Sequence, residues 1–490
     1  MGIARPRMFR NSEAIARSKA FALSVVNELS LNAGAVLPAF VPASEPVNPI
    51  PLSSQPVISL MLSHILKAGP AATGKFCHQG IMMRAQGGNA RQIVPAQASG
   101  PLSQASILPS PQSVAMLERL VGFDTTSYRS NLDFIAFASE LLESLGANVR
   151  LTYDNARGKA NLFATLGRAD RPGIVLSGHS DVVPVDGQDW SSDPFTVRHA
   201  DHRLYGRGTA DMKGFIALCL ALAPEFAARQ LQFPIHFAFS YDEEVGCIGV
   251  RRLIEDLGGL ALRPKLCIVG EPTEMKVIIG HKGKKNVRCE VHGKECHSAL
   301  NHRGVNAVEI ASEMVTFLRR MQRRIREQGP FDAGYDPPYT TVHTGVIGGG
   351  TALNIVPARC GFEFEFRNLP NHDVEGLMAE LRAFALSLIP EMLEVDDAAG
   401  IMFDEYNTTA GLDTAEDDEA AVLARQLSGN NDTAKVSFTT EAGLFHDAGI
   451  PTVVCGPGSI LQAHKPDEFI TLEQLGLGEA FLRRLLDHMG

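Results

Sequence analysis

Short apolar runs that break off at an acid or an imidazole govern how this chain can fold. GIVLSGHSD ends in His179 and Asp181, PIHFAFSYDEE in Asp242, Glu243 and Glu244, and KLCIVGEPT in Glu271. Strand-like runs at 160–166, 173–178, 234–241 and 265–270 alternate with helical segments at 212–228 and 246–257. That alternation predicts an α/β fold, a mainly parallel sheet with helices on both faces. Open sheets of this kind bind ligands beyond the carboxyl ends of their strands, which is where these polar residues fall.

The pattern becomes firm at Ser113, with amphipathic helices over SVAMLERLVGF and 131–145. A second unit is expected as an insert at 284–395. It opens with the alternating NVRCEVHG, continues through a helix at 304–328 and strands near 341–347 and 360–367, and closes with a helix at 373–389. It reads as a small α+β lid. The catalytic unit is therefore split into 112–283 and 396–490, the second piece holding the strand PTVVCGPG and a last helix at 472–488.

Residues 1–111 are different. They hold 9 Lys and Arg against 3 Asp and Glu, a net +6, which leaves −16 for the remainder of a chain of net charge −10. Rich in Pro, Ser, Ala and Gln, they read as a poorly ordered extension with short helices near 12–30 and 57–67. A targeting segment and a start codon set too far upstream are equally open readings.

The overall acidity argues against nucleic acid as a partner. No run of 18 apolar residues predicts a membrane span. The 8 cysteines form no CxxC pair and read as free thiols of a reducing compartment, which makes the cytoplasm the expected location.

The polar groups carry the chemistry. In HxD, His179 offers a neutral imidazole to a metal while Asp181 on the same side fixes its tautomer; a loop histidine with an Asx turn is the competing reading. Asp211, in GRGTADMKG, is either the N-cap of the helix that follows or a carboxylate bridging two metals. Glu243 and Glu244 point different ways at a strand end. We assign Glu244 to the metal and Glu243 to general acid/base work, against a merely solvated acidic cluster. Glu271 precedes Pro272, which stops regular continuation, and His464 in QAHKPDE supplies a second imidazole unless it is a surface loop residue. Two imidazoles with several carboxylates suit zinc, with cobalt or manganese as competitors.

Taken in order, SGHSDVVPVDGQDW, GRGTADMKG, DEEVG and GEPT resemble the M20 metallopeptidase/deacylase family over about residues 113–490. GHKGK, TALNIVPARCGFEFEFRNLP and TEAGLFHDAGIPTVVCGPGSILQAHKPDEF are similar to the branch that deacetylates N2-acetyl-L-ornithine in arginine biosynthesis. Desuccinylases of succinyl-diaminopimelate, carboxypeptidases and aminoacylases share the ligands and remain neighbouring alternatives. So does a non-catalytic binding protein on the same fold.

The resemblance implies two divalent metal ions, zinc or cobalt, held by His179, Asp211, Glu244, Glu271 and His464, with Asp181 orienting His179 and Glu243 as base. It implies a small-molecule N-acyl amino acid as substrate and a homodimer formed through the lid. His297 in ECHSAL would help polarise the scissile carbonyl, reaching across that dimer. Asn354 and Arg367 would bind substrate, Arg367 at the carboxylate, and Gly456 and Gly458 would shape the pocket. A helix-start histidine and a surface salt bridge are the plainer readings of His297 and Arg367. Glu441 in TTEAG is open between pairing a substrate amine and favouring a helix N-terminus.

Overall fold

The computed structural model describes residues 107–490 other than 169, 260 and 261. The readings made for the extension before residue 107, its two short helices included, lie outside the described residues. Ordered structure opens with α1 (Pro111–Val121) and α2 (Leu132–Ser144), then β1 (Asn148–Tyr153), β2 (Ala160–Leu166) and β3 (Ile174–His179). Next come β4 (Arg198–Ala200), β5 (Arg203–Tyr205), α3 (Lys213–Ala228), β6 (Ile235–Ser240), α4 (Ile248–Gly258), β7 (Leu266–Pro272) and β8 (Val277–His281).

A small unit follows, with β9 (Gly283–His292), α5 (Ala307–Gln328), β10 (Thr341–Gly349), β11 (Arg359–Asn368), α6 (Val374–Leu393) and β12 (Gly400–Thr409). The chain then returns through β13 (Leu412–Asp413), α7 (Glu419–Ser428), β14 (Thr433–Val436), α8 (Ala442–Asp447), β15 (Thr452–Gly456), β16 (Phe469–Thr471) and α9 (Leu472–Met489).

The large sheet has nine strands, in the order β1-β2-β6-β3-β7-β15-β8-β13, with β14 beside β8. Its centre, β6-β3-β7-β15, is parallel, while β1, β2 and β13 pair antiparallel toward the two edges. Alternation sorts the central side chains to two faces. Ile174, Leu176, Ile235, Phe237, Leu266 and Ile268 pack with α1, α2, α3, α7 and α9. Val175, Ala238, Cys267 and Val269 point the other way, onto α4 and α8. Because both faces are covered, β3, β6 and β7 are buried along their whole length, which is why they read as unbroken apolar runs.

The small unit is a four-stranded antiparallel sheet, β10-β11-β9-β12. Val287, Cys289, Val291, Phe362, Phe364 and Phe366 face a core shared with α5 and α6, where Phe317 stacks on Phe384 at 4.5 Å. Asn306 caps α5 by accepting from the N–H groups of Val308 and Glu309. The expected end of this insert at 395 is corrected by the structure. Gly400–Thr409, assigned to the second catalytic segment, forms its fourth strand against β9.

Candidate metal centre

The parallel pairing sets three strand ends side by side. His179 closes β3 and lies opposite Ser240, the last residue of β6, after which the chain turns at Asp242 (φ 55°) into Glu243 and Glu244. Glu271 lies in β7, on the other flank of β3. Asp211 enters from the turn before α3, where Gly208 takes a φ of 84° that an L side chain resists. His464 arrives from the loop after β15.

The result is two adjoining groups. His179 Nε2 lies 3.0 Å from Asp211 Oδ1 and 3.8 Å from Glu271 Oε1. His464 Nε2 lies 3.4 Å from Asp211 Oδ2 and 3.0 Å from Glu244 Oε2. In each group the donor atoms lie within 4.8 Å of one another. Asp211 thus turns one oxygen to each group, the geometry of a bridging carboxylate. The capping alternative fails, because the helix cap is Met212 and no side chain bonds there.

Asp181 holds the site in two ways. Its main-chain carbonyl lies 2.9 Å from His179 Nδ1, whereas its carboxylate Oδ1 stands at 3.7 Å. The carboxylate instead accepts from Ser127 Oγ at 2.8 Å and from the N–H groups of Glu243 at 3.1 Å and Glu244 at 3.3 Å. The tautomer is therefore fixed by a backbone oxygen, and the Asp181 side chain aims the two glutamates. Cys247 Sγ donates to Glu243 Oε1 at 3.2 Å.

Five acids, Asp181, Asp211, Glu243, Glu244 and Glu271, crowd two imidazoles, and among the described residues no lysine or arginine forms a salt bridge with any of them. Burial and the neighbouring Asp211 charge push Glu271 up to about 8 and Glu244 to about 7. Burial, then the charge of Glu271, raises Glu243 well above the usual carboxylate range. Burial works against a charged His179, yet Glu271 and Asp211 hold its pKa well above the ordinary value. Such an excess of buried negative charge is relieved by cations, and the mixed imidazole and carboxylate donors suit divalent ones. The residues present therefore fit a dinuclear centre.

The remaining site residues fall elsewhere. His297 is exposed, caps a 3₁₀ turn by accepting from Ala299 N at 3.1 Å, and belongs to neither donor group. Asn354 is exposed beside it, its carbonyl accepting from Ser298 N. Arg367 makes a salt bridge with Glu365 at 3.1 Å and reaches Thr439 Oγ1 at 3.5 Å. Gly456 packs against β7, where a Cβ would meet Gly270 O at 2.1 Å.

Among the described residues, Glu441 pairs with no amine. It is fully buried, accepting from Ser177 Oγ at 2.6 Å and Ser240 Oγ at 2.7 Å. Lys284, in the GHKGK stretch, lies opposite Arg367 across the β11–β9 ladder, and burial together with Arg367 lowers its pKa.

The profile of Peptidase family M20/M25/M40 matches residues 175–488. The chain belongs to that family. As an M20 protein it is 36% identical over 379 residues to an acetylornithine deacetylase of Myxococcus xanthus, covering 76% of this chain and 96% of that protein. An acetylornithine deacetylase of Proteus mirabilis is 35% identical over 353 residues, covering 71% and 88%.

The M20 fold recurs in an aminopeptidase of Bacillus cereus (TM-score 0.60, 19% identity, 78% of this chain and 99% of that one). It recurs in a Bacillus subtilis protein described as a dinuclear metal binding peptidase (TM-score 0.54, 15% identity, 77% and 97%). The relatives named are deacetylases and peptidases, hydrolases of amide bonds, and this M20 chain is an enzyme of that kind.

Proposed function

We propose that this M20 hydrolase removes the acetyl group from N2-acetyl-L-ornithine, releasing L-ornithine and acetate in arginine biosynthesis. The observation that carries this is the near full-length match to acetylornithine deacetylases, 36% identical over 96% of the Myxococcus protein. His179, Asp211 and Glu271 would hold one divalent ion, and Asp211, Glu244 and His464 a second. Zinc suits this donor set first, with cobalt as its competitor.

Bound there, the cations supply Lewis acidity and bring the pKa of a water toward neutrality. Glu243 takes the proton of the attacking water and returns it to the leaving nitrogen, a transfer favoured by its raised proton affinity. Arg367, with Lys284 across the ladder from it, pairs the substrate carboxylate through a charge-assisted fork. Asn354 contacts the substrate from the lid.

The enzyme acts as a homodimer joined through the small unit, so that His297 of one copy reaches the centre of the other and stabilises the oxyanion. In support, His297 is exposed, and the nearby edge strand β10 presents Val346 (62%) and Ile347 (53%) to solvent. Among the described residues no helix is long and apolar enough to cross a membrane. Seven described cysteines are free, which supports a cytoplasmic setting.

The test is turnover of the metal-loaded full-length chain on N2-acetyl-L-ornithine, N-succinyl-diaminopimelate, simple N-acetyl amino acids and dipeptides. The highest kcat/KM is expected on N2-acetyl-L-ornithine. Preferred cleavage of the succinyl compound or of a dipeptide would overturn the assignment.

A further inference from the structure

His464 is unlike the other ligands. The side chains of His179, Asp211, Glu271 and Glu244 are 1%, 6%, 5% and 7% exposed, whereas that of His464 is 54% exposed. It stands on a loop at φ 63°, with no strand of the sheet to aim it. Something else must hold that loop if His464 is to meet Asp211 and Glu244 at a fixed spacing.

We propose that Glu468, Arg207 and Gln188 form a positioning relay that holds the Asp211 and His464 loops in register, and so sets cation affinity at the outer group of Asp211, Glu244 and His464. The inference rests on the two-cation reading above. Glu468 Oε1 accepts from the main-chain N–H groups of Ala210 at 2.9 Å and Asp211 at 3.1 Å. Its other oxygen meets Arg207 Nη1 at 2.7 Å, with both side chains 1% exposed. Arg207 Nη2 donates to Gln188 Oε1 at 2.6 Å, and Gln188 Nε2 donates to the main-chain carbonyl of His464 at 3.0 Å. Trp190 Nε1 donates to the same Gln188 oxygen at 3.1 Å, and its ring lies 5.0 Å from the guanidinium.

An unbroken line of hydrogen bonds thus runs from the backbone of one ligand to that of another more than two hundred positions away. A buried ion pair adds little net stability, because desolvation offsets its attraction. What this pair contributes is geometry. It gives the two ligand loops a common anchor, as outer partners do for metal ligands in general.

The test uses the full-length chain loaded with cobalt(II) and titrated with a chelator. Visible absorption and atomic emission follow the metal that leaves. Wild type should release two equivalents in two steps, and His464→Ala identifies the outer one. Gln188→Glu keeps an oxygen for Arg207 and Trp190 but removes the N–H that holds the His464 carbonyl. Its outer cation should leave at roughly tenfold lower chelator, with the inner step and the Tm of the metal-free chain unchanged. Gln188→Ala should move the same step in the same direction.

Wild-type release curves in both variants would overturn the relay. So would an equal shift of both steps together with a lowered metal-free Tm, the mark of a merely structural role. A wild-type chain that holds a single equivalent overturns the two-cation reading, and the relay with it.

Discussion

Glu243 and Glu244 are sequence neighbours with different surroundings. Glu244 turns to His464 at 3.0 Å, while Glu243 meets the Cys247 thiol. Glu243→Gln should therefore lower kcat by about 10²–10⁴-fold while the metal content, read by atomic emission, stays at the wild-type level. Parallel loss of metal would make Glu243 a ligand instead. Arg367→Ala should raise KM for N2-acetyl-L-ornithine by about 10- to 100-fold, the worth of a charge-assisted hydrogen bond, with kcat little changed. An unaltered KM would leave Arg367 as no more than the partner of Glu365. At this scale the residue types were legible from their order, but their partners were not. Asp181 was singled out for its carboxylate, yet its carbonyl faces His179. Glu441 looked available to a substrate and is sealed beneath two serines. The direction of a side chain at a strand end depends on the strands beside it, which local sequence does not specify.

Among the elements, β15 shows how closely strands must approach to align the ligands. It runs parallel to β7, with Gly456 opposite Pro272, and a Cβ on Gly456 would lie 2.1 Å from Gly270 O and 2.6 Å from Glu271 O. These are backbone atoms of the strand that carries Glu271 and cannot swing aside. Gly456→Ala should cost about 2 kcal/mol or more, seen as a lowered Tm in calorimetry, and should loosen metal binding by displacing β7. A wild-type Tm would show that the strands can part. The helices were the most legible elements: the ranges expected at 212–228, 304–328 and 472–488 fall within a few residues of α3, α5 and α9, because a 3.6-residue apolar period is a local signal. β12 went unrecognised as part of the small sheet. Its GIMFDEYNTT is half-exposed, and its partner β9 lies more than a hundred residues earlier.

Across the whole molecule, stability should carry an acid limb set by two buried histidines that belong to neither donor group. Burial holds both His236 and His281 at about 4, below the ordinary 6.5. His281 accepts from Gly443 N at 3.1 Å through Nε2 while its Nδ1 faces the Lys282 carbonyl at 3.0 Å, so protonation would break the first contact. With the folded pKa below the unfolded one, the unfolded chain binds more protons between 6.5 and 4. The contribution is complete above 6.5 and is lost as pH falls toward 4. Between pH 7 and 5 each histidine should remove about 2 kcal/mol. His236→Phe, measured by urea unfolding at both pH values, should fall by that much less than wild type, and identical losses would refute the assignment. Apolar periodicity and the order of acids and imidazoles already implied an α/β enzyme with its chemistry at strand ends, since both are written locally along the chain. The two-sided contact of Asp211, the hydrogen-bonded tie between the Asp211 turn and the His464 loop, and the parallel-centred strand order arose only on folding. Each joins segments remote in the chain, and their distances are set by packing rather than by spacing in sequence.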